Sequence, residues 1–382
     1  MRCLILLLAA ATVAATVTAQ TAPQTRISRI SENLRGVSAV SRKIAWASGT
    51  HGTYLRTTDG HLWVPDHVPG ADSLDFRGIA AFSADEAFLM SSGPGEQSRI
   101  YHTTDAGRHW QLQFNNPNPK GFFDSMVFWD RTHGIVLGDP VPDETGALKF
   151  ELLVTDNGQT WTPIPASQLP SAREGEAAFA ASNTCLAILP STHASKDLAS
   201  DQPEKEGAPA LDPNIWFATG GKAARVFHSP DQGRTWEVFD TPITSGADSA
   251  GIFSIAFRDA THGVIAGGDY KLPTQDGPNL AFTEDAGKTW TLSKIFPQSY
   301  YSAVAYERSN ARNPKRSATN KAEARDRLFL VGANFIYDFR PPQNPTRISA
   351  QKKSDSQFNA VSPYPEGGAL AVGPKGTIIT VP

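Results

Sequence analysis

The chain has 382 residues and a formal net charge of −3, from 35 Lys and Arg against 38 Asp and Glu. This near balance excludes a strongly basic surface, so neither nucleic acid nor an anionic membrane face is an expected partner. There are two cysteines. Because Cys3 lies in the N-terminal leader described next, Cys185 is the one cysteine expected in the mature chain, and no disulfide should hold the fold together.

The first 19 residues have the pattern of a secretory signal peptide. One Arg precedes an uncharged apolar run from Leu4 to Val17, and the small residues that follow predict cleavage after Ala19. The run is short for a membrane span, and an uncleaved anchor is the alternative. We therefore expect a protein exported to the periplasm or beyond, with no membrane span after cleavage and with residues 20–382 forming one domain.

One short phrase recurs along the chain. The full copies are TTDAGRHW at 103–110, VTDNGQTW at 154–161, SPDQGRTW at 229–236 and TEDAGKTW at 283–290. In each, an Asp lies two residues before a Gly and five before a Trp. A shortened fifth copy, TTDGHLW at 57–63, begins the series.

The phrase predicts a β-hairpin turn, since alternating apolar segments flank every copy. The Asp can accept backbone N–H bonds, the Gly can adopt positive φ, and the Trp can pack between sheets. These are structural roles rather than catalytic ones. They are assigned to Asp59, Asp105, Gly107, Trp110, Asp156, Gly158, Trp161, Asp231, Gly233, Trp236, Asp285, Gly287 and Trp290.

The phrase resembles the Asp-box, or bacterial neuraminidase repeat, with the pattern S/T-x-D-x-G-x-T-W. This resemblance implies a β-propeller in which the box forms the turn between the third and fourth strands of a blade. Sialidases, other carbohydrate-active enzymes, sortilin-like receptors and the photosystem II assembly factor carry the repeat. It therefore indicates an architecture and leaves the function open.

Four-strand units at intervals of about 45–55 residues predict an all-β, seven-bladed propeller. The last segment supplies three strands, and a strand at 25–31 precedes the first blade. The two incomplete parts should combine and close the ring. The predicted blades are 34–68, 69–116, 117–168, 174–243, 250–296, 299–349, and 357–382 together with 25–31.

Two polar insertions, 190–213 and 308–326, interrupt this rhythm between the first and second strands of their blades. Both are poor in apolar residues, so we expect loops on the face that carries the repeated turns. The second is basic, and an anion-binding segment is the alternative to a solvated loop.

Charged residues recur where the first strand of a blade begins and the second ends. In a propeller these positions meet at one end of the central channel, where ligands usually bind. The candidate ligand-binding residues on this channel face are Arg35, Arg77, Asp124, Asp139, Glu176, Asp269 and Tyr301. A polar plug, in which these groups satisfy one another, is the alternative.

A longer resemblance covers nearly all of the mature chain. The segments LRGVSAVSRKIAWASGTHGT, FFDSMVFWDRTHGIVLGDP, HGVIAGGDY and YYSAVAY are similar to those of exported bacterial relatives of the photosystem II assembly factor, which are often called oxidoreductases. The sequence has no dinucleotide fingerprint, Cys/His metal cluster or haem motif, so no cofactor and no metal are predicted.

We therefore expect a binding or assembly scaffold that holds a protein, peptide or glycan on the channel face. The alternative is a sialidase-like glycoside hydrolase that uses the same face, because arginines, carboxylates and a tyrosine are the residue types such an enzyme needs. The sialidase F/Y-R-I-P motif is absent from the sequence. Calcium held by carboxylates would be compatible with either function.

Overall fold

Seven antiparallel sheets form the blades of a propeller, which confirms the predicted fold class. The computed structural model describes residues 24–28, 30–189, 212–294, 299–307, 327–333, 335–339, 346–348 and 357–382. The predicted signal peptide lies outside the described residues. No helix within them has the length and apolar character to span a membrane.

The strands follow a regular order in the first three blades, after β1 (Gln24–Ile27), which belongs to the last blade. Blade one contains β2 (Leu34–Ala39), β3 (Ala45–Gly49), β4 (Thr53–Thr57) and β5 (Val64–His67). Blade two contains β6 (Phe76–Ala81), β7 (Ala87–Ser91), β8 (Arg99–Thr103) and β9 (Gln111–Asn115). Blade three contains β10 (Phe123–Phe128), β11 (Gly134–Pro142), β12 (Leu148–Thr155) and β13 (Thr162–Pro163).

Blade four departs from this order, because its innermost strand is divided in two. Its strands are β14 (Glu176–Ala177), β15 (Leu186–Ile188), β16 (Ile215–Ala218), β17 (Gly220–Gly221), β18 (Arg225–Ser229) and β19 (Glu237–Asp240). β14 pairs with β17, and β17 in turn pairs with the first strand of blade five. A six-stranded sheet therefore joins blades four and five.

The last three blades return to four strands each. Blade five contains β20 (Ala250–Phe257), β21 (Gly263–Asp269), β22 (Leu280–Thr283) and β23 (Thr291–Leu292). Blade six contains β24 (Tyr301–Tyr306), β25 (Leu328–Gly332), β26 (Phe335–Phe339) and β27 (Thr346–Ile348). Blade seven contains β28 (Ala360–Pro363), β29 (Ala369–Gly373), β30 (Thr377–Val381) and β1.

The N-terminal strand closes the ring. β1 runs antiparallel to β30, from Gln24 opposite Thr380 to Ile27 opposite Thr377. Ser28 Oγ, next along the chain, donates a hydrogen bond of 2.7 Å to the Gly376 carbonyl. The first described residues therefore cover the edge of β30, which would otherwise be exposed.

The hydrophobic core is divided into seven clusters, one at each interface between neighbouring blades. Between blades one and two, for example, Trp46 and Tyr54 pack against Phe76 and Leu89. Each Trp of the repeated phrase lies at the interface between its own blade and the preceding one. The blades therefore bury their apolar faces against each other.

Serine hydroxyls join the innermost strands of neighbouring blades. Ser38 Oγ accepts a hydrogen bond from the Ala81 amide, and Ser362 Oγ accepts one from the Ala39 amide, both at 3.0 Å. Ser302 Oγ donates to the Phe358 carbonyl at 2.6 Å. Blades one and two, seven and one, and six and seven are thus fixed relative to each other at the axis.

The repeated turn is held by its Asp and by the Thr or Ser two residues earlier. Asp105 Oδ1 accepts hydrogen bonds from Thr103 Oγ1 at 3.0 Å and from the His109 amide at 2.9 Å. The His109 amide bond is the largest of the effects that lower the pKa of Asp105 to about 2. Asp231 and Asp285 make the corresponding bonds in their turns.

The copy at 154–161 uses a different residue, which corrects the assignment of Asp156. Asn157 Oδ1 accepts hydrogen bonds from the amides of Gln159 and Thr160 at 2.8 and 2.9 Å. Asp156, one residue earlier, is exposed. The reason is that Thr155 precedes Gly158 by three residues rather than four, so the turn is one residue shorter and the residue directly before the glycine receives the amides.

Single substitutions of Asn157 and Asp156 show which of the two side chains holds this turn. Replacing Asn157 by Ala should lower the free energy of unfolding by about 1 kcal/mol, since the Gln159 and Thr160 amides lose their acceptor. Asp156→Ala is the matched control and should change it by less than about 0.5 kcal/mol. Urea denaturation measures both. A larger loss from Asp156→Ala would contradict the assignment to Asn157.

Candidate binding site at the channel mouth

Near the start of several innermost strands, a β-bulge leaves one residue unpaired. In blade one, Leu34 pairs with Gly49 and Gly36 pairs with Ser48, so Arg35 is left unpaired between them. A bulge of this kind changes the direction of the extra side chain. The same interruption occurs at Arg77, Asp124 and Phe253 in blades two, three and five. We call this end of the ring of innermost strands the channel mouth.

Two arginines share one carboxylate at the channel mouth. Arg77 Nε donates a hydrogen bond of 2.8 Å to Asp75 Oδ2, and Arg35 Nε lies 3.8 Å from the same oxygen. Arg77 Nη1 also donates to the Ala180 carbonyl of blade four at 3.1 Å, so it reaches across from blade two. Arg35 Nε is buried and makes no hydrogen bond. Asp75 therefore hydrogen-bonds to Arg77, while Arg35 Nε has no hydrogen-bond partner.

Two predicted aspartates lie near each other, and one of them, Asp124, is close enough to Arg77 to feel its charge. Asp124 is 1% exposed, and its Oδ2 makes no hydrogen bond. Burial, followed by the nearby charge of Asp139, raises the pKa of Asp124 well above its usual value, while Arg77 opposes this change. Asp139 Oδ1 accepts a hydrogen bond of 3.0 Å from the Ala178 amide. Burial, with a smaller contribution from Glu151, raises the pKa of Asp139 to about 6.

An aromatic wall completes the channel mouth on the side of blades four to six. The rings of Phe179 and Phe253 stack at 4.0 Å with 8° between their planes. Tyr300 meets Phe253 edge-on at 4.9 Å, and Tyr270 meets it edge-on at 6.1 Å. A Cβ on Gly220 would lie 2.1 Å from the Phe179 ring, so glycine is required there for the ring to lie against the backbone.

Glu176 is committed to a buried ion pair rather than to the channel mouth. Arg225 donates to both carboxylate oxygens of Glu176, through Nε at 2.9 Å and through Nη2. Thr219 Oγ1 adds a hydrogen bond of 2.6 Å. These partners satisfy the Glu176 carboxylate within blade four. Arg225 is not one of the seven candidate residues, so this pairing differs from the polar plug, in which those groups would satisfy one another.

Asp269 and Tyr301 are held by other contacts. Asp269 Oδ1 accepts a hydrogen bond of 2.9 Å from the Lys271 amide in the turn that follows β21. Tyr301 is fully buried in the hydrophobic cluster between blades five and six. The prediction of Tyr301 at the mouth is corrected because the bulge in β24 falls on Ser302, and Tyr301 keeps a regular pair with Gly332.

Several residues of the mouth were not predicted. Asp75 precedes its strand by one residue, and Tyr300 occupies the same position before β24. Phe179 and Phe253 are apolar, so the pattern of charged residues in the sequence does not mark them. Within the described part of the chain, no three or more His, Cys, Asp or Glu side chains are grouped so as to hold a metal ion.

The fold and this site define the protein as a seven-bladed β-propeller whose channel mouth combines paired arginines, buried carboxyl groups and an aromatic wall. No protein-family model matches the chain. No curated protein matches it either.

Solved structures share the fold at low sequence identity. The photosystem II assembly factor YCF48 bound to D1 peptide is 15% identical with a TM-score of 0.57, over 94% of this chain and 97% of that one. YCF48 from Cyanidioschyzon merolae is 14% identical with a TM-score of 0.56, over 94% and 98%. The GH74 xyloglucanase from Xanthomonas campestris is 15% identical with a TM-score of 0.57, over 93% of this chain but 53% of that one. These comparisons confirm the expected resemblance in fold.

The raised pKa of Asp139 predicts a specific pH dependence of stability. Because the folded state binds this proton more tightly than the unfolded state, Asp139 makes folding less favourable as pH rises from about 4 to above 6. Asp139→Asn removes this effect and keeps an acceptor for the Ala178 amide. At pH 7.5 the variant should be more stable than the original protein by about 1–3 kcal/mol.

Urea denaturation at pH 4 and pH 7.5 measures this difference. The advantage of Asp139→Asn should shrink towards zero at pH 4, where the aspartate is protonated in the folded state. Asp156→Asn is the control, since that carboxyl group is exposed. An advantage for Asp139→Asn that is equal at both pH values would contradict the assignment.

Proposed function

We propose that this propeller is a binding or assembly scaffold that holds a peptide segment of a partner protein at the channel mouth. The carrying observation is that Arg35 and Arg77 share one carboxylate, Asp75. Arg35 Nε is buried without a hydrogen-bond partner, and a charged donor left unpaired in this way is costly. A ligand carboxylate that pairs with Arg35 would offset that cost with charge-assisted hydrogen bonds.

A solved structure with the same fold supports a peptide ligand in general terms. YCF48, which has this fold, binds a D1 peptide. At the identities involved, that observation concerns YCF48 and says nothing of the sequence that this chain would bind. The proposal for this chain rests on the two arginines and on the Arg35 Nε atom that has no hydrogen-bond partner.

A glycoside hydrolase remains the second candidate, and Asp124 with Asp139 is the observation in its favour. Most glycoside hydrolases outside the sialidases use two carboxyl groups that flank the bond to be cleaved. Asp124 is 1% exposed, so it is poorly placed to contact a sugar. Hydrolysis of aryl glycosides or sialosides that is lost in Asp139→Asn would favour the enzyme over the scaffold.

Export belongs to this proposal as well, and it rests on residues 1–19. The N-terminal residue of the protein recovered outside the cytoplasm tests it and should be Gln20.

Selection from a displayed library of random dodecapeptides tests the proposed function. Peptides enriched on the folded protein should lose affinity about 10- to 100-fold for Arg35→Gln and Arg77→Gln, as expected for a charged hydrogen bond. Arg56→Gln is a matched control, because its side chain is 28% exposed like that of Arg77, and it pairs with Asp85 at 3.8 Å. Fluorescence anisotropy with synthetic peptides gives the affinities. Equal binding by all three variants would contradict the proposal.

A further inference from the structure

Tyr270, which belongs to the aromatic wall, and the nearby Leu272 have exposed side chains. Tyr270 is 46% exposed and Leu272 is 51% exposed, in the loop that follows β21. Other exposed large apolar residues of the described chain lie on outer strands or in a repeated turn: Leu62, Val64, Leu112, Val238 and Leu292. Tyr270 and Leu272 therefore differ from the rest in their position beside the channel mouth.

The loop that carries them is fixed to the wall. The Tyr270 amide donates to the Ser249 carbonyl at 3.3 Å, and the Leu272 amide donates to the Asp269 carbonyl at 3.1 Å. The Tyr300 amide donates to the Pro273 carbonyl at 3.2 Å, which joins the loop to blade six. Aromatic rings held in this way offer contact area at a low cost in conformational entropy.

The aromatic wall and the arginines are adjacent. Arg77 Nη1 donates a hydrogen bond of 3.1 Å to the carbonyl of Ala180, the residue after Phe179. Tyr300 contacts Phe253, and the charge of Arg35 opposes the rise that burial causes in the pKa of Tyr300. The channel mouth therefore has an apolar part beside a positively charged part. A ligand that fits both parts has a negative charge next to a large apolar group.

We propose that Tyr270 and Leu272, with the buried Phe253 ring as support for Tyr270, form an apolar subsite that selects an aromatic or large aliphatic side chain of the bound peptide, close in sequence to the acidic residue held by Arg35. This inference rests on the proposed function and adds the class of peptide. Arg35 Nε has no hydrogen-bond partner, so an acidic residue of the peptide would complement its charge.

The experiment uses the displayed dodecapeptide library and three forms of the full-length protein, together with the Arg35→Gln and Arg77→Gln variants described above. One is the original protein and the second is the double variant Tyr270→Ser, Leu272→Ser. The matched control is Leu112→Ser with Leu62→Ser, since those side chains are 46% and 56% exposed but lie away from the mouth. Thermal melts establish that each form is folded, and sedimentation gives its oligomeric state.

Peptides enriched on the original protein should contain Phe, Tyr, Trp, Leu or Met within about three residues of an Asp or Glu. Changing that apolar residue to Ser in a synthetic peptide should weaken binding about 10-fold or more. The double variant should bind the original and the changed peptide equally, because the apolar subsite is gone. The matched control should distinguish them as the original protein does.

The other possible outcomes contradict either the subsite, the proposed function or both. Peptides that depend on Arg35 but show no apolar preference would overturn the subsite and leave the proposed function standing. Peptides that depend on Tyr270 and Leu272 but not on the arginines would overturn the proposed function and retain the subsite. No enriched peptide at all would overturn both. A change of oligomeric state confined to the double variant would identify a second copy of the chain as the occupant and overturn the subsite.

Discussion

Packing between neighbouring blades is the interaction on which the rest of this structure depends. A four-stranded sheet with both faces in water is at best marginally stable, so each blade needs a neighbour on either side. Here the apolar residues of every blade are buried against the two blades beside it. Each tryptophan of the repeated phrase packs at one of these interfaces, between its own blade and the preceding blade. The arrangement is complete when β1 joins β30 and blade seven can pack against blade one.

The same packing explains how a polar site can exist at the axis. The innermost strands are held by neighbours on both sides and by serine hydroxyls, so bulges at their first residues are tolerated. These bulges direct Arg35, Arg77 and Asp124 towards one another from three blades. The cost appears in the raised pKa of Asp124 and in the missing hydrogen bond of Arg35 Nε. Such incompletely satisfied groups are more common at functional sites than elsewhere.

Much of the fold could be predicted from the sequence, because the spacing of Asp, Gly and Trp and the alternation of apolar residues are local properties. Local patterns fail where a shift of one residue decides the outcome. Tyr301 is buried and Ser302 takes the bulge, although YYSAVAY resembles the other first strands. In the same way Asn157 replaces Asp156 because the turn is one residue shorter.

The candidate site was predictable only in part, for a related reason. Charged residues at bulges are visible in a sequence, and Arg35, Arg77, Asp124 and Asp139 are found together. The aromatic wall depends on contacts between blades four, five and six and on a glycine that admits the ring of Phe179. The sequence could not exclude Glu176 from the candidate site, because its ion-pair partner Arg225 lies 49 positions away in the chain.

Amide hydrogen exchange in β30 tests the central claim, that closure by β1 completes the mutual packing of the blades. The full chain is compared with a chain that lacks residues 20–28. The account predicts at least tenfold faster exchange in Thr377–Val381 of the shortened chain, together with a lower melting temperature, and recovery of both when a peptide of residues 24–28 is added. Unchanged protection of Thr377–Val381 and an unchanged melting temperature would contradict it.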